Sequence, residues 1–577
     1  MSQIAVSDSL VLGRLLSRLV WQRLVSLLQE NGRFAFKPMS VSPSRLLIAP
    51  QDIRTADPTI AEDIYAGRFT FAGHAIDAAE QSPFDVRPVA YEWAVELHGF
   101  GWLRHLRAAN TVVNQSNARA LVQDWVRSSG KRRKSVAWQT DVVARRLLSW
   151  LSQTPLLLED CDPAFYKLFL RSLGRQVRFL RNAINSLPEG VQRMTVYIAL
   201  VAASVAIDGY RRYLKQSLRR LDHELELQIL PDGGHVSRNP MALISILADL
   251  LPVRQAILSR GESPTQTMMT AVDRMMPMVR FFRHMDGTFS HFNGMGATPS
   301  DLVATILAYD DARGQPPGNA KHSGYQRIAC GDTLVIMDTG APPPPALSET
   351  AHAGCLSFEL SSGLNKIIVN CGVSTAGRET WRQVARSTAA HSTLTLEDTS
   401  SCRFLPTGYL SRILGQPIIS GPGHVLINRE ETDESVSLAT SHDGYAAPYS
   451  LIHERSLTVS RYGDTIDGAD RLTWSSSTGK TALQDKYAVR FHLHPRIKAV
   501  MAGNGRDVLL TCANGEEWVF QSKDAIVSVE ESIYLSDVFG HRKSAQIVIY
   551  GRVAKLSEVH WSFSRRMEPA AEIDAET

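Results

Sequence analysis

The chain has 577 residues, 44% of them hydrophobic and 21% charged, with a formal net charge of +4 and a mean hydropathy of −0.12. That length is too great for one core and calls for two or more domains, while the composition excludes disordered and collagen-like classes. The small net charge gives no global field for nucleic acid and leaves room only for a local cationic groove toward an acidic polymer.

Residues 1–86 read as an N-terminal helical and irregular segment. Leu12, Leu15, Leu16, Leu19 and Val20 recur there at helical spacing, with Arg14, Arg18 and Arg23 interleaved. The stretch reads as a helix docked on its own domain, with a helix lying on a membrane surface as the alternative. It lacks the basic start, unbroken apolar run and small-residue cleavage site of a secretory signal. No run approaches the roughly 18 consecutive apolar residues of a membrane span.

From 87 to 315 the apolar period is helical nearly throughout, as in "DPAFYKLFLRSLGRQVRFLRNAI" and "NPMALISILADLLPVRQAIL". Asp162 before Pro163 marks a helix start, a capping residue followed by proline at the first helical position. Successive helices with short Gly, Pro or Asp breaks predict a bundle, solenoid or toroid. The run "GKRRKS" at 130–135 reads as a solvated loop.

From 316 to 560 the pattern changes to alternation, as in "CLSFELSS", "NKIIVNCG", "IHERSLTVSR" and "QIVIYGRV". Strands without intervening helices predict antiparallel sheets stacked as a sandwich. The prolines at 342–345 fall in a loop after the first strand pair, and residues 561–577 read as an acidic tail. The chain is thus α+β and multidomain, with no repeat of propeller length. Its six cysteines form no CxxC pair, so they read as reduced, buried thiols.

The order "AHAGCLSFEL", "IIVNCG", "RSTAAHSTLTL" after a helical half resembles the heparinase II/III and alginate lyase superfamily of polysaccharide lyases. The helical half is similar to that family's (α/α) toroid, and "LPDGGHVSRNP" resembles its Asp-Gly-Gly motif. The resemblance implies β-elimination on a uronic acid unit of an acidic polysaccharide. Such an enzyme must neutralise the uronate carboxylate, take the C5 proton and protonate the leaving oxygen.

Carried over residue by residue, the family's pattern is only partly kept. Its Asn-His pair falls on "EGVQRMTVYIAL", where Gln192 and Arg193 remain able to engage a carboxylate. The position of its catalytic Tyr is Ala242, and that of its first catalytic-motif His is Thr350. Its structural zinc ligands map to His352, Asn370 and His391, where an amide replaces the aspartate and weakens the site.

Other residues stand as substitutes. Tyr197, four residues after Arg193 on one helix face, and His235 are proton-transfer candidates. Arg238, Asn239, His291 and Tyr325 are candidates for contact with substrate, each weighed against an ordinary hydrogen-bonded role in the fold. His492 and His494 share a strand face without a third metal ligand. The leading expectation is a polysaccharide lyase acting on an acidic glycan, with no nucleic-acid partner. The alternative is a non-catalytic glycan-binding or envelope-assembly protein on the same fold. A hydrolase with paired carboxylates ranks last, since the groove motifs supply mainly Asp232. The N-terminus points to the cytoplasm and the resemblance to the envelope or periplasm.

Overall fold

The computed structural model of the chain describes residues 6–30, 43–78, 81–131, 135–310, 314–374, 379–475 and 485–566. The helical period of the first half closes into α1 (Val6–Glu30), α2 (Pro58–Tyr65), α3 (Tyr91–Gly99), α4 (Leu103–Ala109), α5 (Val112–Arg127), α6 (Thr140–Ser152) and α7 (Thr154–Leu158). These are followed by α8 (Pro163–Ala183), α9 (Val191–Ala206), α10 (Leu214–Gln228), α11 (Pro240–Ser259), α12 (Gln266–Phe281) and α13 (Ser300–Ala308). Asp162 caps α8 by accepting from the Phe165 N–H at 2.8 Å, and Asn239 caps α11 by accepting from Met241 at 2.9 Å.

Helices α3, α6, α9 and α11 pack in series. α9 is buried on every side from Met194 to Ala206, as an inner helix must be. α8 instead commits one face, including Phe165, Phe169, Leu173, Val177 and Leu180. Among the described residues α11 alone is long and apolar enough to cross a membrane, and most of it is covered by neighbouring helices of the same half.

The second half carries β3 to β21 after a short hairpin, β1 (Arg68–Phe71) with β2 (His74–Asp77), in the first. The strands of the second half open with β3 (Asn319–Ala320), β4 (Tyr325–Cys330), β5 (Thr333–Asp338), β6 (Phe358–Ser362), β7 (Asn365–Val369), β8 (Leu394–Leu396), β9 (Arg403–Phe404) and β10 (Ile418–Ser420). They continue with β11 (Val425–Glu431), β12 (Ser435–His442), β13 (Leu451–Ser460), β14 (Thr465–Trp474), β15 (Lys486–Leu493) and β16 (Lys498–Met501). The last are β17 (Asp507–Thr511), β18 (Glu517–Ser522), β19 (Val527–Tyr534), β20 (Arg542–Arg552) and β21 (Glu558–Arg565).

One sheet runs β11-β12-β13-β14-β21-β18-β17-β16 and the other β19-β20-β15-β7-β6-β5-β4-β3, with β8 also pairing β15, and neighbouring strands are antiparallel. Alternating burial along β13 sends Leu451, His453, Arg455, Leu457 and Val459 inward. The sheets close on one aromatic core, in which Phe358 of one stacks on Trp561 of the other with ring centres 5.7 Å apart. Gly468 lies opposite Trp561 in the β14–β21 pairing, and a Cβ there would stand 2.3 Å from the indole.

Two expectations need correction. The first segment contains the β1–β2 hairpin, turned by Ala72 and Gly73 in the left-handed region. The C-terminal boundary at 560 cuts through β21, so residues up to Arg565 are strand and not tail. The acidic run from 567, the side chain of Arg23 and most of the basic run at 130–135 lie outside the described residues.

Candidate functional site

The N-terminal ends of α9 and α11 meet the β half along one seam, and the loop from Pro345 to Ala351 runs over both. A Cβ on Gly190, just before α9, would stand 2.9 Å from Leu347 Cδ2. One on Gly294 would stand 2.7 Å from the Thr350 carbonyl oxygen and 3.1 Å from Asn239 Nδ2. Gln192, Ala242 and Thr350 therefore lie close to this seam, the candidate cleft. Arg386 fastens the loop from behind, donating to Ala351 O at 2.8 Å and to Gln416 O and Ser348 O at 2.9 Å each.

Carboxylates gather at this mouth. Tyr91, opening α3, has its hydroxyl pKa raised by burial and by the nearby charges of Asp141, Glu92 and the exposed Glu349. Arg193 is paired with Glu224 at 3.6 Å and donates to Leu187 O at 3.0 Å, and Arg18 of α1 is paired with Glu189. Both cations at this end of α9 are thus already partnered.

The structure brings Arg193, Tyr197 and His235 around Glu224. The Tyr197 hydroxyl is made less acidic by burial and by the Glu224 charge. His235 is 2% exposed. Its Nδ1 accepts from the Ser237 N–H at 3.1 Å, which leaves Nε2–H to donate to Gln228 Oε1 at 2.8 Å. Gln228 in turn donates to Glu224 at 2.6 Å. Burial holds this imidazole at a pKa of about 4, so it is neutral and has no nitrogen free for a substrate. Gln192 is exposed, and its side chain makes no hydrogen bond to another described residue.

The four substrate-contact candidates occupy the junction between the halves, and their polar atoms are largely spent there. Arg238 Nε donates to Ser323 O at 2.8 Å, Nη1 to Gly340 O and Ala341 O at 3.1 Å, and Nη2 to Gly324 O at 3.0 Å and Asp338 Oδ1 at 2.5 Å. All five N–H groups of the guanidinium are used. Tyr325 is fully buried, donates to Arg238 O at 2.6 Å and accepts from Asn293 Nδ2 at 2.7 Å. His291 directs its backbone N–H and Nδ1 to Glu359 Oε1 at 2.9 and 3.2 Å. Asn239 caps α11 with its oxygen and turns its nitrogen toward Gly294.

Glu359 was not among the residues singled out from the sequence, yet it is the centre of this junction. It also takes His284 Nε2 at 3.1 Å, the Asn370 N–H at 3.0 Å and Lys366 Nζ at 3.6 Å. Burial raises its pKa, but Lys366, His291 and the bonds from both histidines outweigh that and hold it well below the usual range. The sequence signal was a glutamate inside the otherwise core-facing "CLSFELSS", since a buried acid demands partners.

Residues 312–562 match the family model described as "Heparinase II/III-like, C-terminal". Over 532 residues, 91% of each chain, the sequence is 30% identical to FtsZ-localized protein C of Caulobacter vibrioides (strain NA1000 / CB15N). The chain belongs to the heparinase II/III-like family. The crystal structure of heparinase III superposes with a TM-score of 0.72 at 14% identity, covering 94% of this chain and 89% of that one. A heparan sulfate lyase HepC mutant from Pedobacter heparinus gives 0.62 at 16% identity, covering 95% and 88%. These two likenesses establish the fold, a helical toroid followed by a β-sandwich.

Within the heparinase II/III-like family, His352, Asn370 and His391 stand where the resemblance implies zinc ligands. His391 Nδ1–H donates to Ser387 O at 2.7 Å, and its Nε2 accepts from His352 Nδ1–H at 3.0 Å. Asn370 Oδ1 is committed to the Ser392 N–H at 2.9 Å, while its Nδ2 and His352 Nε2 are buried without a hydrogen-bond partner. Two imidazoles bonded to each other and an engaged amide supply no anionic donor. Among the described residues no group of three His, Cys, Asp or Glu side chains is placed to hold a metal ion. This donor set does not fit zinc. His492 likewise bonds Ser532 and Ala389 O at 2.8 and 2.9 Å, and His494 packs on Tyr534 instead of joining it.

Proposed function

We propose that this chain is a non-catalytic binding protein that retains the lyase fold and serves in assembly of the cell envelope or the division apparatus. The observation that carries the reading is the pair Ala242 and Thr350 at the cleft. Neither side chain can take the C5 proton and deliver it to the leaving oxygen. The carboxylates of Asp141, Glu92 and Glu349 near Tyr91 oppose a uronate at the same mouth, which supports a role other than cleavage of an anionic chain. The name of the relative from Caulobacter vibrioides, FtsZ-localized protein C, supports association with FtsZ, and a cytoplasmic location goes with it.

The second reading, a lyase with an altered acid–base set, is favoured by the exposed, unbonded Gln192 on the same helix as Tyr197. One pair of measurements separates the two. The purified chain is incubated with heparin, heparan sulfate, alginate and hyaluronan while the ultraviolet absorbance of the unsaturated product is followed, and it is sedimented in parallel with FtsZ filaments. Silence in the first and co-sedimentation in the second are expected. Product formation that disappears in Tyr197→Phe would overturn the proposal in favour of the lyase.

A further inference from the structure

Apart from the cleft, a cavity of about 390 Å3 opens where the β3–β4 turn, the end of β5 and the start of β11 meet. Lys321, His322 and His424 line it, and all three are exposed. None of the three side chains makes a hydrogen bond or ion pair with another described residue. Two aspartates close by bond the backbone of the loops that carry these residues. Asp232 Oδ2 accepts from the backbone N–H groups of His322 and Ser323 at 2.8 and 2.7 Å. Asp443 Oδ1 accepts from those of Gly423 and His424 at 2.8 and 3.1 Å. Each aspartate stands behind its loop and pins it, and neither lines the cavity.

A second observation points the same way. Thr339 lines the same cavity, is 1% exposed, and its hydroxyl has no hydrogen-bond partner. A buried hydroxyl without a partner calls for an explanation, and a ligand oxygen supplies one. An ammonium, two imidazoles and a hydroxyl together offer donors and positive charge to a tetrahedral oxyanion.

We propose that this cavity is a binding site for a phosphate or sulfate group, held by Lys321, His322, His424 and Thr339. It is separate from the cleft and stands whether or not the cleft catalyses. The phosphate or sulfate is free in solution or carried on a larger molecule, and the two inorganic ions tell the two chemistries apart.

The test is a thermal-shift titration of the full chain with inorganic phosphate and with inorganic sulfate, each against chloride at equal ionic strength. A saturable stabilisation beyond chloride is expected from at least one ion, weakened about tenfold or more in Lys321→Ala/His424→Ala. Lys498→Ala, an exposed lysine on β16, is expected to bind as the parent does. No saturable effect, or one unchanged in the double variant, would overturn the site. Crystals soaked in selenate give an independent answer. An anomalous peak between Lys321 and His424 supports the proposal, and peaks only elsewhere refute it.

Discussion

Arg238 spends its whole guanidinium inside the protein. Its ion pair with Asp338 joins side chains 8% and 3% exposed, and truncation leaves a buried carboxylate with no cation. Arg238→Ala is expected to lower unfolding free energy by about 3–5 kcal/mol, measured by urea denaturation. Asp338→Asn added to it is expected to recover part of that loss, because the stranded charge is removed. A second prediction concerns acid. Burial holds His235, His284 and His391 at about 4, below the usual value of about 6.5. The unfolded chain therefore takes up these protons first, so the stability is full above about pH 6.5 and is lost as pH falls toward about 4. For His235 alone the loss between pH 8 and pH 5 comes to about 2 kcal/mol. The urea midpoint is expected to fall across that window, and to fall less steeply in His235→Gln.

At the scale of elements, β14 and β21 depend on one missing side chain. With 2.3 Å between a Cβ at Gly468 and the Trp561 ring, Gly468→Ala forces the indole out of its stack on Phe358. A loss of about 1–3 kcal/mol is expected, read as a lower melting temperature together with changed tryptophan fluorescence. Most elements were legible in the sequence, since the helical period of α8 to α11 and the alternation of β12 to β14 are local patterns. The β1–β2 hairpin was not. Its turn uses Ala72 at φ 48°, where Asn or Gly normally announces the conformation. β21 was cut short because "VHWSFSRR" ends on residues that solvate as readily as they pair.

For the whole molecule, the halves are joined by buried polar groups: Arg238 with Asp338, Tyr325 with Asn293, His284 and His291 with Glu359, and Lys366 with the Phe289 carbonyl. Neither half can separate without exposing these groups unpaired, so calorimetry is expected to show one transition. Two well-resolved transitions would count against a joint unit. This is also why the candidate site was only half legible. Histidine, tyrosine and arginine near an Asp-Gly-Gly loop have the residue types of a reaction centre, but spacing does not say whether their polar atoms are already taken. Ala242 and Thr350 were legible because an absent functional group needs no geometry. None of the ties between the halves passes through the side chains of Gln192, Ala242 or Thr350. Gln192 and Thr350 are exposed as well, so sequence drift at those two positions carries little folding penalty, and a lineage can lose chemistry there one substitution at a time while every intermediate still folds.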